Sequence, residues 1–365
     1  MKKILVNAYF AENLGDDLFL KVLFDRYPQT RFYLLTSNNS YSNIFSSNIN
    51  VKVIKSINYS LFGVRTINIF EKINDYFLKY SFFDGMVVIG GSIFMENKNW
   101  EIGLQKRIKL PKMLKKKNKK TYIIGANFGP YDDEAFVDKH KEFFSYFDDI
   151  CFRDSYSYNL FEKLHNVRCA PDVVFNLNYN YDNNQCEEKS IGFSIIDLKN
   201  RPDLEKYSET YVDKIVELVK NFLAKGLKIK FFSFCKKEGD LNAIEKIMSK
   251  LSARNQLDIK VHNYIGNVNE FLNEFRECEI IVGTRFHSII LALANSQKII
   301  PILYSDKTFN MLKDLGLEKN SFYIEHINEL TADIIDSLNR DYFVNRKQII
   351  EDANKQFEKL DLLIG

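Results

Sequence analysis

An arginine and a histidine two positions apart, Arg285 and His287, follow a glycine that ends an apolar run in the stretch CEIIVGTRFHSIILALANSQKIIPILYSD, Cys278 to Asp306. A guanidinium is a permanent cation whose planar donor fork matches carboxylate or phosphate. An imidazole titrates near neutral pH and can pass a proton. Elements that would position the pair are legible around it. Ile280–Val282 is a short β-branched run broken by Gly283. Phe286, Ile289, Ile290 and Leu293 then recur at the spacing of one buried helical face, and Lys298–Leu303 is a second apolar run. Strand, helix and strand make a parallel βαβ unit, and ligands of such sheets collect at the carboxyl ends of the strands. Thr284, Arg285 and His287 lie at that end, beside a helix N-terminus that favours anions. Positions i and i+2 fall on different helical faces, so Arg285 is expected just before the first turn. The set reads as a phosphate or carboxylate site; the plainer reading is an Arg and a His capping a surface helix.

The same alternation of strand and helix runs through the chain. Lys3–Ala8 reads as a strand, and a loop with Asn13, Gly15 and Asp16 leads into a helix burying Leu18, Phe19, Val22 and Leu23. Arg31–Thr36 and Val51–Ile54 are further short strands. Gly85–Ile89 is apolar without alternation, as expected of a strand buried on both faces, and ends in Gly90-Gly91-Ser92. Thr121–Ile124 ends in Gly125-Ala126-Asn127-Phe128-Gly129-Pro130, and Asp149–Phe152 ends in Arg153-Asp154 before another helix. Asn176–Lys189 is polar and aperiodic, as a linker would be. Alternation restarts with Ile191–Ile196, a helix near Leu204–Lys225, Leu227–Phe234, a helix near Leu241–Leu251, and Ile259–Val261. Glu329–Leu338 and Asp341–Leu363 read as helical. The fold class is α/β: two doubly wound, Rossmann-like domains facing a cleft, over residues 1–178 and 190–340, with a C-terminal helical segment 341–365 that packs back on the first. One large sheet is the alternative.

Composition narrows the function classes. The chain has 365 residues, enough for two cores, and its 45% hydrophobic content argues against disorder. With 51 basic and 48 acidic residues the net charge is +3, too small an excess to suggest a nucleic-acid partner. No apolar run approaches the ~18 residues of a membrane span. The start, MKKILVNAYF, lacks the apolar core and cleavage site of a signal peptide. The 5 cysteines form no CxxC pair, which fits a reducing compartment and argues against a zinc cluster. A soluble, cytoplasmic chain is expected. Two stretches carry a second reading, peripheral contact with the inner face of a membrane. They are the lysine-rich Lys112–Lys120 and the aromatic-rich Leu61–Phe83; a solvated helix end and packing on the sheet are the structural readings.

Seven segments together resemble the polysaccharide pyruvyl transferase family. They are Asn13-Leu14-Gly15-Asp16-Asp17, Val88 to Ser92, Gly125 to Pro130, Phe152 to Ser157, Ala170 to Val174, Gly283 to His287 and Ile300 to Tyr304. Each is weak alone; in register they are specific. The resemblance implies a GT-B-like two-domain fold and transfer of an enolpyruvyl-derived group from phosphoenolpyruvate onto a sugar as a pyruvate ketal. It implies no cofactor and no metal, and a donor site built largely in the C-terminal domain. The family's R-x-H element, which binds phosphoenolpyruvate, matches Arg285 and His287, and its R-D arginine matches Arg153. Two departures stand out: Ser92 replaces a third glycine, and Phe286 is bulkier than the usual middle residue of R-x-H.

On that reading Thr284, Ser305 and Lys307 are further donor contacts, or in the last two cases a plain loop. Candidates on the acceptor side are Asn13, Asp16, Asp17, Gly90, Gly91, Ser92, Asn127 and Asp172. Asp16 equally suits a helix cap, Asp172 a turn after Pro171, and the glycines tight packing. His140, His165, His262 and His326 show no ligand spacing and are expected at the surface or partly buried. The acceptor would be a sugar of a cell-surface polysaccharide or a lipid-linked precursor. Two other functions fit the architecture: a GT-B glycosyltransferase using a nucleotide-sugar, and a non-catalytic polysaccharide-assembly subunit.

Overall fold

The computed structural model of the chain describes all residues except 56–57, 62–64, 69–81, 178–189, 200, 202 and 334–344; for 55, 58–61 and 65–68 it describes the backbone only. Most of the linker stretch Asn176–Lys189, much of Leu61–Phe83, and parts of the helices expected over Glu329–Leu338 and Asp341–Leu363 lie outside the described residues. The chain divides into two compact units. Met1–Ala11, Phe19–Asn176 and Ile350–Gly365 form the first, and Glu12–Leu18 with Leu177–Ile349 form the second. Two separate sheets replace the single large sheet held as an alternative.

In the first unit β1 (Lys3–Asn7), β2 (Arg31–Thr36) and β3 (Val51–Lys55) are followed by an antiparallel hairpin, β4 (Asn58–Leu61) and β5 (Arg65–Asn68). Then come β6 (Gly85–Ile89), β7 (Lys120–Ala126), β8 (Asp149–Phe152) and β9 (Val167–Cys169). The hairpin aside, these strands form one sheet in the order β3-β2-β1-β6-β7-β8-β9, paired in parallel throughout. Right-handed crossovers place helices on opposite faces when strands add to both sides of β1. That explains why β8 is buried along its whole length and carries no polar alternation.

The core of this unit is aromatic: Phe94, Phe128, Phe136, Phe143, Phe144, Phe152 and Phe161 pack together in edge-to-face, tilted and stacked pairs. His140, expected at the surface or partly buried, is instead fully inside this cluster at 3% exposure, its Nδ1 2.7 Å from the Phe136 carbonyl. Burial is the chief reason its pKa falls to about 4. Near the C-terminus the fully buried Gln356 accepts from the Gly125 N–H and donates to the carbonyls of Phe152, Ala170 and Pro171, satisfying backbone groups at three adjacent strand ends.

The second unit repeats the plan. Its strands are β10 (Ser190–Ser194), β11 (Lys228–Ser233), β12 (Ile259–Asn263), β13 (Ile280–Gly283), β14 (Lys298–Leu303) and β15 (Phe322–Tyr323). They are ordered β12-β11-β10-β13-β14-β15, again all parallel. Its core is largely aliphatic, with Ile191, Ile215, Val219, Ile244, Val282 and Ile300. The helix expected from the 286–293 spacing spans Phe286–Ala294, with Arg285 the extended residue before it. In both sheets the strand order reverses beside the unit's first strand, between β1 and β6 and between β10 and β13. At such a switch point neighbouring loops diverge and leave room for a ligand. No helix among the described residues is long and apolar enough to cross a membrane.

Candidate functional site

In the second unit the carboxyl ends of four adjacent strands, β11, β10, β13 and β14, bring charged side chains together. Gly283 ends β13, and the Thr284 N–H donates to the Ser194 carbonyl at the end of β10 (3.1 Å). The Arg285 N–H donates to Ser194 Oγ (3.1 Å), so its backbone is pinned at the switch point itself. The Arg285 side chain, 6% exposed as a residue, turns toward the loop after β11. Its Nε donates to Asp240 Oδ2 at 2.9 Å and its Nη2 to Asp240 Oδ1, a two-pronged pair. Its Nη1 donates to Glu238 Oε2 at 2.5 Å. Asp240 also accepts from the N–H groups of Phe234 and Cys235 (both 3.0 Å).

Arg201, in the turn after β10, donates from Nη2 to the same Glu238 oxygen at 2.9 Å. Gly239 lets the two loops approach: its φ is +87°, and a Cβ there would strike the Asp197 carboxylate. From the end of β14, the Tyr304 ring lies 5.2 Å from the Arg201 guanidinium and 5.5 Å from Lys307 Nζ. Electrostatics follow this geometry. Burial disfavours the Glu238 carboxylate, but Arg285, Arg201 and Lys307 overcome it and hold its pKa at about 2. Burial raises the Tyr304 phenol, yet Lys307, Arg285 and Arg201 bring it below its ordinary value. Burial also pushes the Asp240 carboxyl up, against the pull of Arg285 and the Cys235 N–H.

His287 sits in the first turn of the helix Phe286–Ala294, its ring edge-on to Phe286 at 5.2 Å. A Cβ on Gly15 would land on its Nδ1, so the imidazole rests against bare backbone. This explains the glycine in Asn13-Leu14-Gly15-Asp16-Asp17, whose residues belong to the second unit. Asn13 Oδ1 accepts from the Gly15 N–H (3.0 Å), and its Nδ2 donates to Glu238 Oε1 (3.2 Å). Asp17 is fully buried and accepts from the Tyr264 hydroxyl at 2.6 Å; Asp16 is half-buried. Thr284 is interior, its Oγ1 2.9 Å from the Tyr211 hydroxyl. Ser305 precedes the helix Asp306–Asp314, its Oγ buried without a hydrogen-bond partner.

The remaining candidates gather in the first unit. Arg153, at the end of β8, is 5% exposed; its Nη1 donates to Asp172 Oδ2 (2.8 Å) and its Nη2 to Asn127 Oδ1 (2.6 Å). Ser92 Oγ donates to that same Asn127 oxygen at 3.0 Å. The guanidinium lies flat against Gly91, where a Cβ would fall 2.5 Å from Nη1 and 2.7 Å from Cζ. Gly90, beside it, has a φ of +149°. Asp172, 1% exposed, also accepts from the Val174 N–H (2.9 Å). Arg153, Asp172, Asn127, Ser92 and Gly91 are thus one packed network within their own unit.

Sequence reasoning missed Arg201, Glu238 and Asp240, and quoted Tyr304 without giving it a role. A signal existed for two of them. Glu238-Gly239-Asp240 follows the apolar run of β11 as two acids around a glycine, at the strand end where ligands collect. Among the described residues, no group of three or more His, Cys, Asp or Glu is arranged to hold a metal ion.

Residues 13–306, most of the chain, match the profile of the family described as polysaccharide pyruvyl transferase. The chain belongs to that family. It is therefore an enzyme, a pyruvyl transferase of polysaccharide biosynthesis whose reaction uses phosphoenolpyruvate. A curated relative, the amylovoran biosynthesis protein AmsJ of Erwinia amylovora, is 21% identical over 87% of this chain and 86% of its own length. Among solved structures, the UDP-GlcNAc 2-epimerase of Methanocaldococcus jannaschii matches with a TM-score of 0.62 at 14% identity, covering 100% of this chain and 99% of that one. A putative UDP-N-acetylglucosamine 2-epimerase from Listeria monocytogenes matches at 0.59 and 10% identity, covering 99% and 94%. At such identities the likeness establishes the GT-B-like fold of the transferase.

Proposed function

We propose that this transferase binds phosphoenolpyruvate at the switch point of its second unit, against Arg285 and His287, and moves the pyruvyl group onto a sugar hydroxyl pair as a ketal. The observation that carries the reading is the placement of Arg285: its backbone is pinned between β10 and β13, and its fork is aimed by Asp240. Phosphoenolpyruvate carries a carboxylate and a phosphate, so a permanent cation beside a helix N-terminus suits it.

In the reaction, C3 of the enol takes a proton while a sugar hydroxyl oxygen bonds to C2 and releases its own proton. Phosphate then leaves C2, and a second hydroxyl of the same sugar bonds there as its proton departs, closing the ketal. His287 is the residue assigned to the C3 proton or to the departing phosphate, since an imidazole can both donate a proton and hydrogen-bond a phosphate. Gly15 holds the ring in place by leaving room for it. Asp16, Asp17 and Asn13 line the same unit; of the three, Asp16 is the acceptor-side candidate, because Asp17 is fully buried. Arg153 and Asp172 fit a donor or acceptor contact less well. Arg285 is scarcely more exposed at 6%, but its Nη1 meets the 31%-exposed Glu238, whereas Arg153 and Asp172 are bonded to one another with side chains 3% and 0% exposed.

The acceptor in this reading is a sugar of a cell-surface polysaccharide or of its lipid-linked precursor, which would draw the enzyme to the cytoplasmic face of a membrane. Phosphate release with phosphoenolpyruvate and a glycan acceptor, run beside UDP- and GDP-sugars, tests the reaction. Phosphate released from phosphoenolpyruvate, with a pyruvate ketal gained by the acceptor in mass analysis, supports the reading. Sugar transfer from a nucleotide donor would overturn it.

A further inference from the structure

An anionic three-carbon donor with two charged ends needs more than one cation, and the second unit holds three near one point. Arg201 Nη2 and Arg285 Nη1 lie 2.9 and 2.5 Å from a single oxygen, Oε2 of Glu238. Two guanidinium groups converging on one carboxylate oxygen are arranged as they would be around one end of a ligand. Lys307 adds a third positive charge that acts on the same carboxylate and sits over Tyr304. Asp197 lies against Gly239, and the carboxylates bonded to Arg285 are Glu238 and Asp240. They differ in kind: Asp240 is fully buried, two-pronged on Arg285 and fixed by backbone donors, whereas the Glu238 side chain is 31% exposed. Arg201 is likewise accessible at 28%. Asp240 therefore orients Arg285, while Glu238 sits at the accessible side and occupies the place between the arginines.

We propose that this place is a seat of the donor site: Arg201 and Lys307 join Arg285 in binding one anionic end of phosphoenolpyruvate, and the Glu238 carboxylate fills the seat until the donor displaces it. The inference rests on the donor reading above and extends it to Arg201, Lys307 and Glu238. Exchange of one carboxylate for another conserves the local charge, so the arginines are never left unpaired. It also sets a threshold: a neutral sugar cannot evict Glu238, whereas a carboxylate or phosphate can. Arg201 reaches the seat from the loop after β10, Glu238 from the loop after β11, and Lys307 from the segment after β14, so each can be changed without touching β13.

Three variants test the proposal, using steady-state kinetics with phosphoenolpyruvate and inhibition by inorganic phosphate as probes. Arg201→Ala is expected to raise both KM for phosphoenolpyruvate and the phosphate inhibition constant about tenfold, with kcat changed far less; Arg201→Lys should recover part of the loss. Glu238→Gln is expected to lower both constants, because the seat loses its charged occupant. Wild-type constants in a folded Arg201→Ala would overturn the proposal. So would a rise of both constants in Glu238→Gln, which would make that carboxylate a support for Arg285 instead of an occupant. Failure of the donor reading looks different: the wild-type enzyme would then release no phosphate from phosphoenolpyruvate, whatever stands at 201 or 238.

Discussion

Both units place an arginine at a strand's carboxyl end and pair it with a buried aspartate, yet the surroundings of the two pairs differ. In the first unit Arg153 meets Asp172, with side chains 3% and 0% exposed and the guanidinium stacked on Gly91. In the second unit Arg285 meets Asp240, and around them gather Arg201, Lys307 and the half-buried Glu238, with the Asp197 carboxylate against Gly239. On the proposed donor reading, the pair with an accessible carboxylate and further cations beside it is the one that receives an anion. What separates the switch points is the residues beyond the pair.

The largest expected effect breaks the comparison on the active side. His287→Ala should lower turnover by about 10²–10⁴-fold, the range for loss of a general acid, while leaving thermal unfolding near that of the wild type. In the first unit Arg153→Ala should instead act on stability, leaving Asp172 buried without its partner at a cost of about 3–5 kcal/mol in denaturant unfolding. Arg153 acting chiefly on KM would place it in the donor site after all.

A pH titration sharpens the contrast further. The His140 pKa is lowered by burial to about 4 from 6.5, so the unfolded chain binds the proton more readily. Stability from the neutral ring is complete above pH 6.5 and is lost as pH falls toward 4, on the order of 3 kcal/mol across that window. His140→Leu should flatten that slope of unfolding free energy between pH 4 and 6.5. The smallest of the four effects is Gly15→Ala, whose methyl would displace the His287 ring. About a hundredfold loss of turnover is expected, with little change in unfolding.

How much of this was legible in the sequence depends on the distance over which the information travels. Strands buried on both faces, such as Gly85–Ile89, declare themselves by unbroken apolar runs, and the helix Phe286–Ala294 by its spacing. The placement of Arg285 and His287 between a strand end and a helix was legible because the elements that position them are contiguous. The pairing of Arg285 with Asp240 was not, since 45 residues separate them and only the sheet order brings them together. For the same reason Gly15 read only as part of a loop before a helix, although its bare backbone accommodates the ring of His287. His140 was misread because nothing nearby marks it as interior; its burial comes from Phe94 and Phe128 on other segments. Residues 12–18 carried no signal that they group with the second unit instead of the one they precede.

The central claim is that the donor's charge is held by Arg285 at the second switch point. Calorimetric titration of phosphoenolpyruvate into the wild-type enzyme and into Arg285→Lys, which keeps a cation for Asp240 but removes the fork, tests it directly, with thermal unfolding to verify that both are folded. Saturable binding to the wild type that is lost or strongly weakened in Arg285→Lys is the predicted result. Equal affinity in the two proteins would contradict it.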